Sequence, residues 1–157
     1  APGTFPLTFP RLVQPVIDKK CQPCHIQTSN DPKHKGKKPP SLRGDKFGRN
    51  GWSEAFTNLH KLGWGKAGGN GAIRQNGRSY SIPMKDGARI SKLYKHLAKG
   101  HHDVKLTPEE LRRFIIWIDT NTNFYAAYLN IEDQAKGKVV KPKLGLPKWI
   151  PFEELVK

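Results

Sequence analysis

The run Cys21-Gln22-Pro23-Cys24-His25 brings two thiols and an imidazole together within five residues, and it uses both cysteines of the chain. On one turn of the chain, two thiols three positions apart can add across the two vinyl groups of a single porphyrin. The imidazole that follows at once can then bind the iron as its proximal ligand. The motif therefore predicts one covalently bound haem c, with thioether bonds to Cys21 and Cys24 and with His25 on the iron.

Three other interpretations of this motif have to be weighed. A thioredoxin-like redox pair requires a βαβ context, which the surrounding sequence does not show. A zinc site requires two further ligands, and the usual second pair of closely spaced ligands is missing. The candidates for those ligands are His34, His60, His96, His101 and His102. A short-loop disulfide is the third possibility, but only haem explains why His25 directly follows Cys24 and why the chain has no third cysteine.

A haem iron with one histidine needs a second axial ligand, or it has an open position that binds small molecules. Met84 is the only methionine of the chain and follows Ile82-Pro83 in an irregular, glycine-rich stretch. His101 and His102 lie between two predicted helices, and two adjacent residues cannot both bind one iron with normal backbone geometry. The residues alone leave His101, His102 and Met84 open as the distal ligand. A second histidine would lower the reduction potential, and a methionine would raise it.

The spacing of apolar residues predicts four helices, and hence a mainly α fold with long loops around one haem. A helix over residues 11–20 should be short or kinked, because Pro15 lies within it. Further helices are expected over residues 52–62 and over residues 88–99, where Gly100 ends the second of them. The fourth, over residues 107–120, opens with Thr107 as N-cap, Pro108 at the first helical position and Glu110 completing a capping box.

Between these helices, residues 30–50 and 63–87 are polar or glycine-rich and are expected to be loops. The chain has 157 residues with 15 Gly and 13 Pro, which fits one loop-rich domain. We expect a haem domain over residues 1–130 and a C-terminal extension over residues 131–157 that is packed on it or trails from it. No apolar run is long enough to span a bilayer.

The charge of the chain is strongly positive: 28 Lys and Arg against 13 Asp and Glu give +15. Such a balance favours an acidic redox partner protein or an anionic polysaccharide. Nucleic acid is not expected, because no helix-turn-helix, zinc-finger or RNP-type pattern is present. Haem c is attached outside the bacterial cytoplasm, so we expect a periplasmic or extracellular protein whose export signal is absent from this chain.

Several segments carry a resemblance to a known family. The stretch from Gly100-His101-His102-Asp103 through Leu106-Thr107-Pro108-Glu109-Glu110 to Trp117-Ile118-Asp119-Thr120-Asn121 resembles the C-terminal part of monohaem cytochrome c domains of the planctomycete type. This group includes the C-terminal haem domain of the hydrazine synthase alpha subunit. The lead-in at residues 9–18 and the aromatic residues at 124–128 are also similar. The resemblance covers both ends of residues 9–128 and leaves the middle unmatched.

This resemblance implies a six-coordinate iron with two histidine ligands, the distal one from the Gly-His segment. That places His101 first and His102 second, whereas Met84 has no counterpart in the family pattern. The function it implies is one-electron transfer, by an electron carrier rather than a catalyst. Two alternatives remain. One is a peroxidase-like haem enzyme, or a domain of a larger redox complex, with an open or labile sixth position. The other is a module that binds a small ligand at the iron, or a polysaccharide through Trp52, Trp64 and Trp149.

Overall fold

The computed structural model describes residues 5–26, 39–63 and 82–141, and these are mainly helical. The prediction of a mainly α fold is therefore confirmed. The helices are α1 (Phe9–Leu12), α2 (Gln14–Lys20), α3 (Gln22–His25), α4 (Glu54–Gly63), α5 (Lys92–Ala98), α6 (Pro108–Asp119) and α7 (Ile131–Ala135), with a 3₁₀ turn at Ala88–Ile90. Over the same ranges β pairing is limited to two isolated bridges, Phe47 with Ser53 and His101 with Val104. None of the helices in the described ranges is long and apolar enough to cross a bilayer.

The predicted helix at residues 11–20 is divided into two. α1 ends at Leu12 and α2 begins at Gln14, with the buried Val13 between them. Pro15 lies in the first turn of α2, where a backbone N–H has no intrahelical partner to lose. The proline therefore starts a new helix instead of kinking an existing one, and α2 leads directly into the turn that holds Cys21.

The core is a cluster of aromatic side chains contributed by four separate parts of the chain. The ring of Phe9 lies 5.3 Å from that of Phe56 and 5.1 Å from that of Trp117, both edge-to-face. Phe124 packs on Phe56 at 4.9 Å. The indole N–H of Trp117 donates to the carbonyl of Asn123 at 3.0 Å, so the one polar atom of the cluster is satisfied. This cluster joins α1, α4 and α6 into one body.

The predicted helix at residues 88–99 is wrong in its first third. Ser91 has an extended backbone, with φ −54° and ψ 131°, which breaks the helix after the 3₁₀ turn. Its hydroxyl accepts from the N–H of Tyr94 at 3.2 Å and donates to the carbonyl of Leu62 at 3.1 Å. Ser91 is thus the N-cap of α5 and also ties that helix to the end of α4.

The fourth predicted helix is confirmed to within one residue at each end. Thr107 Oγ1 accepts from the N–H of Glu110 at 3.2 Å, and Glu110 Oε2 accepts from the N–H of Thr107 at 2.9 Å. This is the reciprocal capping box that the sequence predicts, with Pro108 in the first turn. α6 packs on α1 and α5, which places the residues that precede Thr107 beside the end of α5.

The extension expected from Ile131 onward begins with a short helix that the sequence did not predict. Ile131–Ala135 forms α7, and the buried Gln134 holds it to the preceding loop. The amide of Gln134 accepts from the N–H of Ala126 and donates to the carbonyls of Ala127 and Leu129 at 2.7–2.8 Å. Residues 142–157 of the predicted tail, together with His34, Trp64 and Trp149, lie outside the described residues.

Candidate cofactor site

The five motif residues form a single tight turn. The N–H groups of Cys24 and His25 both reach the carbonyl of Cys21, at 3.2 and 3.1 Å. Pro23 lies in the first turn of α3, where it costs no hydrogen bond. The predicted placement of two thiols and one imidazole on one turn is therefore what the backbone adopts.

Both cysteines carry free thiols, Cys21 half-buried and Cys24 exposed. Burial is the main cause that raises the pKa of the Cys21 thiol to about 11, with smaller contributions from Cys24 and Glu110. A redox-active or metal-binding cysteine works as a thiolate, and its pKa is normally lowered. The environment of Cys21 therefore suits a neutral sulfur, as a thioether is, better than a thiolate.

The ring of His25 is oriented by a strap, which we define as residues 39–45. Nδ1 of His25 lies 2.8 Å from the carbonyl oxygen of Pro40. A carbonyl can only accept, so Nδ1 carries the proton and a neutral ring has its lone pair on Nε2. Nε2 is the nitrogen that would bind a metal.

The strap in turn is held by α4. Ser41 Oγ donates to Glu54 Oε2 at 2.5 Å, and Asn58 Nδ2 donates to the carbonyl of Ser41 at 2.8 Å. The backbone N–H of Ala55 also donates to the carbonyl of Arg43 at 3.1 Å. The orientation of the His25 ring thus depends on a helix that starts 29 positions further along the chain.

His101 is placed by a reversal of the chain after α5. Gly100, with φ +83°, ends the helix and turns the backbone back. His101 and Val104 then exchange both backbone hydrogen bonds at 3.0 Å, closing a two-residue turn. His102 occupies the first position of that turn with φ +51°, as a primed hairpin turn requires.

These two parts of the chain face each other across a cavity of about 330 Å³. Its walls contain both motif cysteines, three histidines and three aliphatic side chains. The lining residues are Lys20, Cys21, Cys24, His25, Leu97, His101, His102, Asp103, Val104 and Leu106. The volume lies at the lower end of the range of about 300–1,000 Å³ that is typical of ligand and cofactor sites. Residues that the sequence predicted as haem attachment, proximal ligand and distal ligand are therefore brought together.

The separation of the two histidine rings fits a shared metal. The ring centres of His25 and His101 lie 6.1 Å apart, with an angle of 41° between the ring planes. Bonds from a metal to an imidazole nitrogen are about 2 Å long, so two imidazoles on one metal have centres about 6 Å apart. With two thiols beside one of the rings, the donor set fits a haem c that is held by Cys21, Cys24, His25 and His101.

The other candidate ligands lie elsewhere or fit less directly. Met84 is 59 % exposed, has φ +67° and is not among the described residues that line the cavity. His60 stacks on Phe56 at 4.9 Å, and its Nδ1 lies 3.0 Å from the Phe56 carbonyl oxygen, so this side chain is engaged within α4. His102 lines the cavity, and its ring lies 4.4 Å from that of His101.

Two functional groups of this site were missed in the sequence. One is the carbonyl of Pro40, because no side-chain pattern marks a backbone acceptor that comes close only through the fold. The other is His96, which the sequence offers only as a candidate ligand of a zinc site. His96 is exposed, but its Nε2 lies 2.8 Å from Nδ1 of His101. The spacing of five residues across Gly100 is the only sequence signal that could have suggested this pair.

Within residues 5–26, 39–63 and 82–141, no group of three or more His, Cys, Asp or Glu side chains is arranged to hold a bare metal ion. Comparison with family models, with curated proteins and with solved structures gives no match for this chain.

Proposed function

We propose that this chain is a monohaem c-type cytochrome that transfers one electron at a time to or from an exported partner. The observation that carries the proposal is the 6.1 Å separation of the His25 and His101 rings across a cavity that Cys21 and Cys24 also line. The CxxCH motif is specified by five consecutive residues, whatever the rest of the fold is. A second imidazole at ligand distance, delivered from 76 positions away, is an independent feature that haem ligation explains.

In this proposal the haem supplies the change between ferric and ferrous iron, and the chain holds and tunes it. Cys21 and Cys24 would hold the porphyrin through thioethers. His25 would bind the iron through Nε2, because the carbonyl of Pro40 accepts from its Nδ1–H. His101 would be the second ligand of the iron, and Leu97, Val104 and Leu106 provide the cavity with an apolar wall. Two histidine ligands leave no open position, which favours electron transfer over peroxidase-like catalysis or the binding of small ligands.

The partner we propose is a protein with an acidic surface. The segments around the cavity carry several lysines, namely Lys19, Lys20, Lys95, Lys99 and Lys105. Opposite charge on a partner would speed encounter and orient it toward the haem, and salt would weaken the effect. Attachment of haem c also implies a periplasmic or extracellular location. Trp52 packs edge-to-face on Phe56 at 5.0 Å, so its part in binding a polysaccharide has less support.

The first test is the absorption spectrum of the purified protein, oxidised and reduced, with and without carbon monoxide. We expect a low-spin spectrum that lacks the far-red band of a sulfur-to-iron bond and that carbon monoxide changes only slowly, by replacing the distal ligand. Absence of any haem spectrum would refute the proposal. A high-spin spectrum with rapid binding of carbon monoxide would favour an enzyme or a ligand-binding module.

Three variants assign the distal ligand. His101→Ala should produce a high-spin form that binds carbon monoxide. His102→Asn should keep the low-spin spectrum, because asparagine tolerates the left-handed backbone of that turn. Met84→Leu is the matched control and should change neither spectrum nor potential. A far-red band that disappears in Met84→Leu would assign the ligand to Met84 instead, while leaving electron transfer in place.

A further inference from the structure

His96 lies outside the set of residues that the proposed function uses, yet it contacts one of them directly. Its Nε2 lies 2.8 Å from Nδ1 of His101, and the two ring centres are 4.4 Å apart. His96 lies on the last turn of α5, and the reversal at Gly100 brings His101 back onto it. The contact is thus built by the end of a helix and the turn that follows.

The chemistry of the imidazole ring gives this contact a direction. A neutral imidazole has one donor nitrogen and one acceptor nitrogen. For His101 to bind iron through Nε2, its proton must be on Nδ1, and Nδ1–H then donates to Nε2 of His96. The opposite arrangement would place a proton on Nε2 of His101 and prevent ligation. His25 and Pro40 show the same arrangement on the other side of the cavity.

We propose that His96 is a positioning residue that fixes the tautomer and orientation of His101, the distal ligand of the proposed function. The inference rests on the proposed function, since it assumes a haem in the cavity. A metal-bound histidine that donates its other N–H is a stronger ligand, and loss of such a partner typically costs about 10–100-fold in metal affinity. Ferric iron gains more from the stronger ligand than ferrous iron does.

The test uses the full chain with its haem and two substitutions of an exposed residue. His96→Phe keeps a flat ring and removes the acceptor, whereas the side-chain oxygen of His96→Gln can accept the same hydrogen bond. His60→Phe is the control, because His60 is a half-buried histidine of α4 that is not among the described residues lining the cavity. The readouts are the reduction potential and the rate at which carbon monoxide replaces the distal ligand in the ferrous protein.

We expect His96→Phe to raise the potential by about 60 mV for each tenfold loss of the preference of His101 for ferric iron. Replacement by carbon monoxide should become about tenfold faster. His96→Gln should restore most of both values, and His60→Phe should change neither. The inference is overturned if His96→Phe matches the wild type in both readouts, or if His96→Gln is as impaired as His96→Phe.

Failure of the proposed function is distinguishable from failure of this inference. It would be visible in the wild-type protein, as a missing haem spectrum or as a high-spin spectrum with rapid binding of carbon monoxide, before any variant of His96 is made. A far-red band from a sulfur ligand would leave electron transfer in place and overturn this inference, because His101 would then not be the distal ligand. A wild type with two histidine ligands and an unaffected His96→Phe would leave the proposed function in place and remove His96 from it.

Discussion

Replacing Gly100 by alanine should lower the stability of the fold through backbone strain, and it should also disturb the turn that carries His101. The two effects can be measured separately. At φ +83°, alanine must adopt a left-handed conformation, which costs about 1–2 kcal/mol. Alanine also restricts the unfolded chain, which offsets about 0.4–1 kcal/mol of that cost. The new Cβ would lie 3.4 Å from the carbonyl oxygen of Val104, at the border of ordinary contact, so no large clash is added. The net expectation for Gly100→Ala is a loss of about 1 kcal/mol.

The chain provides a matched control for this substitution in Gly137. That glycine has φ +78°, and a Cβ there would lie 3.5 Å from the carbonyl oxygen of Pro10, so its strain and local space are nearly the same. Gly137 follows α7 and is not among the described residues that line the cavity. Gly137→Ala should therefore lose about the same free energy of unfolding.

The assay combines guanidinium unfolding, followed by circular dichroism, with carbon monoxide binding to the ferrous protein. Both variants should shift the unfolding midpoint by similar amounts. Only Gly100→Ala should speed carbon monoxide binding, because only Gly100 sets the turn that carries His101. The reasoning is refuted if Gly137→Ala changes the binding rate as much as Gly100→Ala, or if neither substitution affects stability.

Three other expectations can be checked on the same material. The hydrogen bond from the N–H of Thr107 is the main cause that lowers the pKa of Glu110 below its ordinary value of 4.5. The ionised carboxylate therefore stabilises the fold fully above pH 4.5. This stabilisation is lost as the pH falls through the lowered pKa. Unfolding curves should accordingly lose more stability with acid in the wild type than in Glu110→Gln, and parallel pH profiles would contradict this. Asn58→Ala removes the hydrogen bond that holds the strap and should cost about 1 kcal/mol in guanidinium unfolding; an unchanged midpoint would show that the strap does not need it. In the haem-free chain, alkylation of Cys21 should be slow at pH 8 and rise with pH toward its pKa of about 11. A rate that levels off about one pH unit above the ordinary value of 9.0 would show an ordinary thiol.

The parts of the fold that could be predicted are those decided by neighbouring residues. The capping box of Thr107 and Glu110 and the glycine that ends α5 each depend on contacts within one turn. The break at Ser91 was missed because its hydroxyl also bonds the carbonyl of Leu62, 29 positions away. α7 was missed for a similar reason, since a buried Gln134 holds it and apolar periodicity does not.

The same division applies to the candidate site. The turn of Cys21, Cys24 and His25 could be predicted because five consecutive residues specify it. His101 was placed first only through the resemblance to a family, since its distance from His25 is set by the packing of α5 and α6. The supporting groups, the Pro40 carbonyl and His96, depend on tertiary placement, which no local pattern encodes.

The two facing rings have a thermodynamic consequence for the whole molecule. His25 and His101 lie 76 positions apart, and a link between them closes a loop that contains the strap and all of α4. Closing a loop of that size in the unfolded chain costs about 4–5 kcal/mol of conformational free energy, which opposes this link once the fold is lost. If the proposed haem is bound, folding and reduction form one thermodynamic cycle. The oxidation state of the iron that binds His101 more tightly then has the more stable fold. The ferric and ferrous forms then differ in their free energy of unfolding. That difference equals, in energy units, the difference in reduction potential between the folded and the unfolded protein.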